Sequence, residues 1–380
     1  MWLINVEALR LEEFTDPYNM PEYAILSHTW ADEEVSHHQF NHPRRNLRST
    51  KGYRKIKACC SEVRHWGLRY VWIDTCCIDK KSSAELSEAI NSMFKWYAEA
   101  TICIAYLSDV DSWHRDVSDL ERQLSRSRYY QRGWTLQELI APNKVDFYDK
   151  YWNRIGTKES MSRQLEQITG IESDAFLHVK RLSSYPIACR MSWAASRRTM
   201  RIEDIAYCLL GIFDINMPLL YGEGANAFRR LQEEIIKESD DQTIFAWEHD
   251  MAESNWEQAR GVFAQHPVQF KNSATFIPAH LGGGAYNITN KGLSITLPLI
   301  RGVPSRGQYE CIAVLDCYGP PNRLQGRKSL VAISLTELIA NEDRTYGHSE
   351  KLVWRSISVL HLIDAEDLRN AEYTSLYLLK

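Results

Sequence analysis

The sequence has neither the paired cysteines of a disulfide framework nor the cysteine spacing of a zinc site. Its 380 residues contain nine cysteines, an odd number, and four of them form the adjacent pairs Cys59-Cys60 and Cys76-Cys77. Disulfide frameworks use even numbers of cysteines, and structural zinc sites use CxxC-like pairs. We therefore expect reduced thiols, as is usual in the cytoplasm, and no bound metal.

A long apolar run, a secretion signal and an excess of one charge are missing too. The longest apolar stretch, near residues 205–213, is too short to cross a bilayer, and the chain start lacks the basic and apolar regions of a signal peptide. The net charge of −4 gives no general reason to expect nucleic acid. These absences predict a cytoplasmic protein that binds neither membranes nor nucleic acid.

The glycine-rich fingerprints of nucleotide-binding folds are also lacking. Neither GxGxxG nor GxxxxGK[ST] occurs where a predicted strand meets a predicted helix, so neither a dinucleotide fingerprint nor a P-loop is present. Arg197 and Arg198 could bind phosphate, but short basic pairs are typical of solvated surfaces, and we expect them there.

The first 156 residues do contain an alternation of strands and helices. The strands are predicted at 23–27, 69–73, 101–107 and 144–149, and the helices at 53–66, 83–98 and 127–142. This order predicts an α/β fold with a parallel, doubly wound sheet and right-handed crossovers. The polar residues 31–50 include three histidines without acidic or cysteine partners at useful spacing, so we expect a mobile surface loop there.

The rest of the chain changes character twice. Apolar residues at helical spacing predict a helical extension between residues 157 and 250. From 251 to 380, short alternating runs predict an antiparallel β-rich domain, which we expect to be a sandwich. TIFAW (243–247) should begin the strand-rich portion, and Asn290-Lys291-Gly292 marks a hairpin. We therefore predict three domains, 1–156, 157–250 and 251–380.

Polar residues lie where the predicted strands of the first domain end. Ser27 and His28 end the first strand, and Asp74 follows the second. Ligands of such sheets bind beyond the carboxyl ends of the strands. The helix after the third strand carries Trp134 and Glu138, four residues apart and hence on one face, and it can approach the same crevice.

Each of these residues also has a structural explanation. Glu138 could pair with Arg132 or cap local structure, and Trp134 could belong to the core. Asp74 could serve a turn, and His28 could hydrogen-bond within its own loop. The local pattern alone leaves both explanations open.

Four long motifs resemble the fungal heterokaryon-incompatibility (HET) domain family. They are AILSHTW (24–30), YVWIDTCCIDK (70–80), RGWTLQELIAP (132–142) and RIEDIAYCLLGIFDINMPLLYGEG (201–224), and the likeness covers roughly residues 23–238. The family is implicated in self/non-self recognition and in the cell death that follows when unlike fungal cells fuse. The resemblance implies a cell-death effector that responds to an incompatibility partner protein.

HET domains in turn look like divergent Toll/interleukin-receptor (TIR) domains, which have a flavodoxin-like sheet. TIR enzymes carry a Trp-Cys-x-x-Glu pattern on a helix, and its glutamate serves cleavage of the nicotinamide–ribose bond of NAD. Here the helix reads Trp134-Thr135-Leu136-Gln137-Glu138, with Thr135 in place of the cysteine. The resemblance implies a TIR-like sheet, Glu138 as the catalytic carboxylate and NAD as candidate substrate, with no cofactor required.

Nicotinamide leaves as a neutral group, so the carboxylate is needed to stabilise an oxocarbenium-like ribose. Ser27 and His28 could meet phosphate or ribose, and Asp74 could contact ribose. Trp30, Trp134 or Tyr106 could stack on a flat ring. TIR-like sites are often completed across subunits, which implies self-association. Two other functions stay open: a non-catalytic signalling module that recruits partners, and a sensor that binds nucleotide without turnover.

Overall fold

The chain divides into two units, each built around its own seven-stranded sheet. The computed structural model describes residues 1–113, 116–248, 261–282, 284–301, 310–320, 329–338, 353–363 and 367–379. The first unit contains Met1–Leu182 and Arg197–Leu220, and the second contains Ser183–Ser196 and Tyr221–Lys380. The predicted segment 157–250 contributes to both units. The division into three domains stays a prediction, and its boundary at 250/251 lies outside the described residues.

The sheet of the first unit has a parallel centre and antiparallel edges. Its strands are β1 (Trp2–Asn5), β2 (Arg10–Glu13), β3 (Tyr23–His28), β4 (Tyr70–Trp72), β5 (Ile102–Tyr106), β6 (Val145–Tyr148) and β7 (Arg154–Thr157). They pair in the order β2-β1-β4-β3-β5-β6-β7. The pairs among β4, β3, β5 and β6 are parallel, whereas β1, β2 and β7 join antiparallel.

The predicted α/β class is confirmed, but the expectation of an all-parallel sheet is wrong at both edges. Strands β3 and β6 are buried throughout, as expected for strands whose two faces are covered. The first hairpin was not predicted, because β2 reads RLEE and has no apolar alternation. Charged residues are common on edge strands, where they discourage pairing with other chains. The likeness to TIR domains stays a prediction.

Eleven α-helices accompany the two sheets in the part of the chain that the structure describes. They are α1 (His37–Asn41), α2 (Lys51–His65), α3 (Ser83–Glu99), α4 (Val117–Arg126), α5 (Thr135–Ile140), α6 (Ser162–Thr169), α7 (Ser173–Phe176), α8 (Ile187–Ser192), α9 (Asp204–Tyr207), α10 (Leu210–Phe213) and α11 (Asn226–Glu238). Helices α8 and α11 lie in the second unit. The predicted helices at 53–66 and 83–98 are confirmed as α2 and α3. No helix among the described residues is long and apolar enough to cross a membrane.

The single helix predicted across 127–142 is wrong, because the structure has two short helices there. Arg128–Gln131 forms a 3-10 helix, and α5 begins only at Thr135. Between them the Gly133 N–H donates to the Arg198 carbonyl at 2.8 Å. This pairing with a distant segment draws the backbone out of the helical path that the local periodicity favours.

Two other local predictions are also wrong. The expected surface loop 31–50 contains α1, which Ser36 and Gln39 start with a reciprocal capping box. The expected strand TIFAW is instead the 3-10 helix Gln242–Phe245, because the Asp241 carboxylate accepts a hydrogen bond from the Thr243 N–H at 2.9 Å. In both segments, a hydrogen bond from a backbone N–H to a short polar side chain favours a helix over the predicted loop or strand.

The sheet of the second unit closes on itself, so the expected sandwich of two sheets is wrong. Its strands are β8 (Ile277–Pro278), β9 (Asn287–Thr289), β10 (Gly292–Arg301), β11 (Glu310–Tyr318), β12 (Leu330–Leu338), β13 (Val353–Ile363) and β14 (Glu372–Leu378). They pair in the order β8-β11-β12-β13-β14-β10-β9, and an additional pairing of β10 with β11 completes a circuit of five strands. All pairs between the described strands of this sheet are antiparallel except β13 with β14. The predicted hairpin is confirmed, with Thr289 opposite Gly292.

Candidate functional site

The carboxyl end of β3 meets α5 through one short hydrogen bond. Ser27, the penultimate residue of β3, donates from its hydroxyl to Glu138 Oε2 at 2.5 Å. The Ser27 hydroxyl also lies 2.7 Å from the hydroxyl of Tyr129, in the 3-10 helix before α5. The structure therefore brings together the predicted strand-end serine and the predicted carboxylate. Tyr129 is a third member that the sequence pattern did not indicate.

The Glu138 carboxyl group is almost completely enclosed. Glu138 is 5% exposed. Burial raises the pKa of its carboxyl group from an ordinary 4.5 to about 7. The hydrogen bond from Ser27 and the positive charge of Arg132 lower the pKa in part, and the negative charge of Asp74 raises it further. A carboxyl group of this kind changes charge near neutral pH, which is common at functional sites.

The start of α5 is held by a buried arginine from the segment that follows α8. Arg197 is 3% exposed, so the expectation that it lies on the surface is wrong. Its Nη1 donates to the Arg132 carbonyl at 2.9 Å and to the Thr135 hydroxyl at 3.1 Å. The Thr135 hydroxyl also lies within hydrogen-bond distance of the Tyr129 carbonyl. These bonds fix the helix on which Glu138 stands.

Trp134 takes a different direction from the carboxylate it was expected to accompany. It directly precedes α5, and its indole Nε1 donates to Asp204 Oδ2 at 3.3 Å. The Glu138 carboxylate, by contrast, is bonded to Ser27. The contacts of the indole are therefore structural ones, and its role in binding a ligand stays a prediction.

A second polar cluster lies beside His28, at the last residue of β3. His28 Nε2 is 3.7 Å from Asp74 Oδ1 and 3.9 Å from Glu34 Oε2, and the residue is 3% exposed. Neither ring nitrogen has a hydrogen-bond partner among the described residues. Burial lowers the pKa of His28 well below its usual value, and the positive charges of Lys55, Arg132 and Lys80 add to this effect. The imidazole is therefore neutral, and the predicted hydrogen bond within its own loop is not made.

Each carboxylate of this cluster is anchored through one oxygen only. Asp74 Oδ2 accepts a hydrogen bond from Trp30 Nε1 at 2.7 Å, and Glu34 Oε1 accepts from Lys55 Nζ at 2.5 Å. The other oxygens, Asp74 Oδ1 and Glu34 Oε2, are buried and have no hydrogen-bond partner among the described residues. The structure thus brings together His28, Trp30 and Asp74, as predicted, and adds Glu34.

Two cations lie over the ring of Trp30. Lys80 Nζ is 3.7 Å from the ring centroid, and Arg132 Cζ is 4.9 Å from it. An aromatic surface with adjacent cations suits a flat ring and a phosphate group. Tyr106, the other aromatic residue considered for stacking, instead stacks on Trp152 with the ring centroids 4.5 Å apart. The described residues include no group of three or more histidines, cysteines, aspartates or glutamates with metal-binding geometry.

Several residues of this site were missed by reasoning from the sequence. Glu34 lies in the polar stretch after the first strand, and Lys80 ends the second strand-end motif, so position relative to the strands could have indicated both. Tyr129 gave no such signal, because its contact with Ser27 spans 102 residues of sequence.

Comparison with known proteins agrees with the motifs. Residues 23–122 match the family model for the heterokaryon incompatibility protein (HET), and residues 226–279 match a domain of unknown function, DUF8212. The vegetative incompatibility protein HET-E-1 of Podospora anserina is 45% identical over 225 residues, which make up 58% of this chain and 16% of that protein. The chain therefore spans 16% of the length of that relative. No solved structure matches the chain.

The likeness to TIR domains has no matching solved structure behind it and stays a prediction. The likeness to HET domains is confirmed by the family model and by the identity with the Podospora protein. Residues 23–122 therefore resemble the heterokaryon incompatibility (HET) family, whose model matches this part of the chain.

Proposed function

We propose that this chain acts in heterokaryon incompatibility by hydrolysing NAD or a related nucleotide at Glu138, with cell death as the outcome. The role in incompatibility is supported by the family and by the name of the Podospora relative. The hydrolytic role is supported by one observation above all. A buried carboxyl group with a pKa raised to about 7 stands at the carboxyl end of the central strand, hydrogen-bonded to Ser27.

The chemistry needs a single carboxylate near the ribose. When the bond between ribose and nicotinamide breaks, the nicotinamide departs neutral and positive charge develops on the ribosyl carbon. An ionised Glu138 stabilises that charge, and low surrounding polarity makes the interaction stronger than it would be in water. Ser27, whose hydroxyl also contacts Tyr129, holds the carboxylate in one orientation. The active form is therefore the ionised one, which predominates above pH 7.

The topology supports a nucleotide site at this position. The strand order β4-β3-β5 places the second and third parallel strands on opposite sides of the first. Crevices for nucleotides in open α/β sheets form at such a point, outside the carboxyl ends of the strands. Ser27 and His28 end β3 there, and Lys80 and Arg132 supply positive charge for phosphate.

Access to Glu138 requires a rearrangement. The carboxyl group is enclosed, and Lys80 and Arg132 lie over the aromatic face of Trp30. A nucleotide would exchange their cation–π contacts for contacts with its phosphates. We propose that self-association favours this open arrangement, so activity should rise with protein concentration.

The test is nicotinamide release from NAD over a range of protein concentrations. Glu138→Gln keeps the size of the side chain but cannot ionise, and it should reduce the rate by about a hundredfold or more. Glu99→Gln removes a half-exposed carboxylate that pairs with Lys95, and it serves as the matched control with an unchanged rate. Turnover that Glu138→Gln leaves intact would remove Glu138 from its proposed role.

A second function is favoured by the enclosure of Glu138. A carboxyl group whose hydrogen-bond partners lie within the protein also suits a purely structural role, in a module that assembles and recruits partners without catalysis. The two functions differ in cells. If cell death caused by the chain persists in Glu138→Gln, the assembly function is supported and the hydrolytic one is rejected.

A further inference from the structure

Three polar side chains beside β3 lie close together without forming hydrogen bonds to one another. His28 Nε2, Asp74 Oδ1 and Glu34 Oε2 are separated by 3.7 and 3.9 Å, measured from the histidine, which is too long for direct hydrogen bonds. An oxygen atom seated between His28 Nε2 and either carboxylate oxygen could lie about 2.8 Å from both. His28 is 3% exposed, and buried polar groups are usually paired. His28 Nε2 is therefore placed to share a ligand oxygen with each of the two carboxylates.

The charge state of these groups selects the kind of ligand. The neutral imidazole offers one N–H donor and one acceptor, and the two carboxylates only accept. A hydroxyl group fits because it accepts from the imidazole and donates to a carboxylate. Two adjacent hydroxyls, as in a ribose, would use both carboxylates. A phosphate does not fit, because it would place negative charge against Glu34 and Asp74.

This cluster is separate from the one at Glu138. Neighbouring residues of a strand point to opposite faces of the sheet. In agreement with this rule, Ser27 contacts Glu138 and Tyr129, whereas His28 lies by Glu34 and Asp74. The end of β3 thus carries two polar subsites, one on each side. A dinucleotide contains two riboses, and the proposed function places the nicotinamide ribose at Glu138.

We propose that His28, Glu34 and Asp74 bind the 2′ and 3′ hydroxyls of the adenosine ribose of NAD, and that the two carboxylates exclude NADP. This inference rests on the proposed function. Carboxylates are known to accept a hydrogen bond from the ribose 2′ hydroxyl and to disfavour its phosphorylated form. Trp30, which donates to Asp74 and bears the two cations, lies beside this subsite.

The test measures binding rather than turnover, in the full chain carrying Glu138→Gln. Isothermal titration should show NAD binding at least about tenfold more tightly than NADP. Adding Glu34→Gln or Asp74→Asn, each of which preserves side-chain size, should reduce the ratio to less than about threefold. Glu13→Gln removes an exposed carboxylate on β2 and is the matched control, for which the ratio should not change.

The possible results separate this inference from the function on which it rests. Equal binding of NAD and NADP, or a preference that neither Glu34→Gln nor Asp74→Asn alters, overturns the ribose subsite and leaves a nucleotide site at Glu138 standing. The absence of saturable NAD binding overturns both. Thermal melting of each variant identifies any that fails to fold. If the added substitutions do not fold, the ratio of NAD to NADP affinity in Glu138→Gln alone decides whether the ribose subsite is accepted.

Discussion

At Glu138, burial and hydrogen bonding act in opposite directions on the same proton. Burial dominates, so the folded-state pKa of about 7 lies above the ordinary value of 4.5. The folded protein therefore holds this proton more tightly than the unfolded chain does. The resulting contribution to stability is fully present below pH 4.5 and is lost as the pH rises through about 7.

We expect Glu138→Gln to remove this pH dependence, because a glutamine cannot ionise. Between pH 6 and pH 8 the wild-type free energy of unfolding should fall by about 1 kcal/mol relative to the variant. Urea denaturation of both proteins at the two pH values measures the difference, with Glu99→Gln as control. Wild-type and Glu138→Gln profiles that stay parallel would show that the carboxyl group is ionised throughout this range.

The sequence predicted that Ser27, His28, Asp74 and Glu138 lie near one end of the sheet, because strand ends and the helix order follow from local patterns. It missed Glu34, although the position of this residue after the first strand could have indicated it, and it could not locate Tyr129, whose contact with Ser27 spans 102 residues of sequence. It also misjudged Arg197. A basic pair in the sequence looks like a solvated surface, and only the tertiary structure reveals the backbone carbonyl and hydroxyl that this guanidinium binds.

At the scale of elements, local periodicity predicted α2 and α3 well and failed for α5. The long amphipathic helices have caps and one apolar face, so neighbouring residues determine them. The stretch before α5 is instead determined by pairing with Arg198, 65 residues beyond Gly133 in sequence. Local patterns do not predict the closed circuit of the second sheet either, because closure depends on the pairing of β10 with β11.

The packing of α10 against α3 makes a prediction at this scale. A Cβ atom added at Gly211 in α10 would collide with the Phe94 side chain of α3. Alanine is the better helix former, so an isolated helix would gain stability from Gly211→Ala. In this protein we expect the opposite, a loss of about 1–3 kcal/mol in the free energy of unfolding from overpacking.

A double-mutant cycle checks the cause. Phe94→Gly removes every colliding atom, including the Cβ that an alanine would keep, so Gly211→Ala should be much less destabilising in that background. Urea denaturation of the two single variants and the double variant gives the coupling energy. Additive losses would mean that the helices do not meet at these residues.

At the scale of the whole molecule, the first unit is discontinuous in sequence. Residues Arg197–Leu220 belong to it, although the chain passes through the second unit between Ser183 and Ser196. This returning segment supplies Arg197, which holds α5, and Gly211, which packs on α3. Stability of the candidate site therefore depends on residues well beyond the last strand of its sheet.

We expect a fragment of residues 1–182 to lack a cooperative unfolding transition, because it retains the sheet but loses the support of α5 and the partner of α3. A fragment of residues 1–220 restores both and should unfold cooperatively. Circular dichroism during thermal denaturation compares the two. A sharp transition in the shorter fragment would show that the returning segment is dispensable for folding.

The hydrogen bonds at Thr135 have an evolutionary consequence. This hydroxyl accepts from Arg197 and lies against two backbone carbonyls, a combination that a cysteine thiol supports only weakly. Relatives that place cysteine at this position should therefore lack a buried arginine at the position of Arg197. The two positions are expected to co-vary, and the pair would mark a lineage in which the start of this helix is held by a guanidinium group.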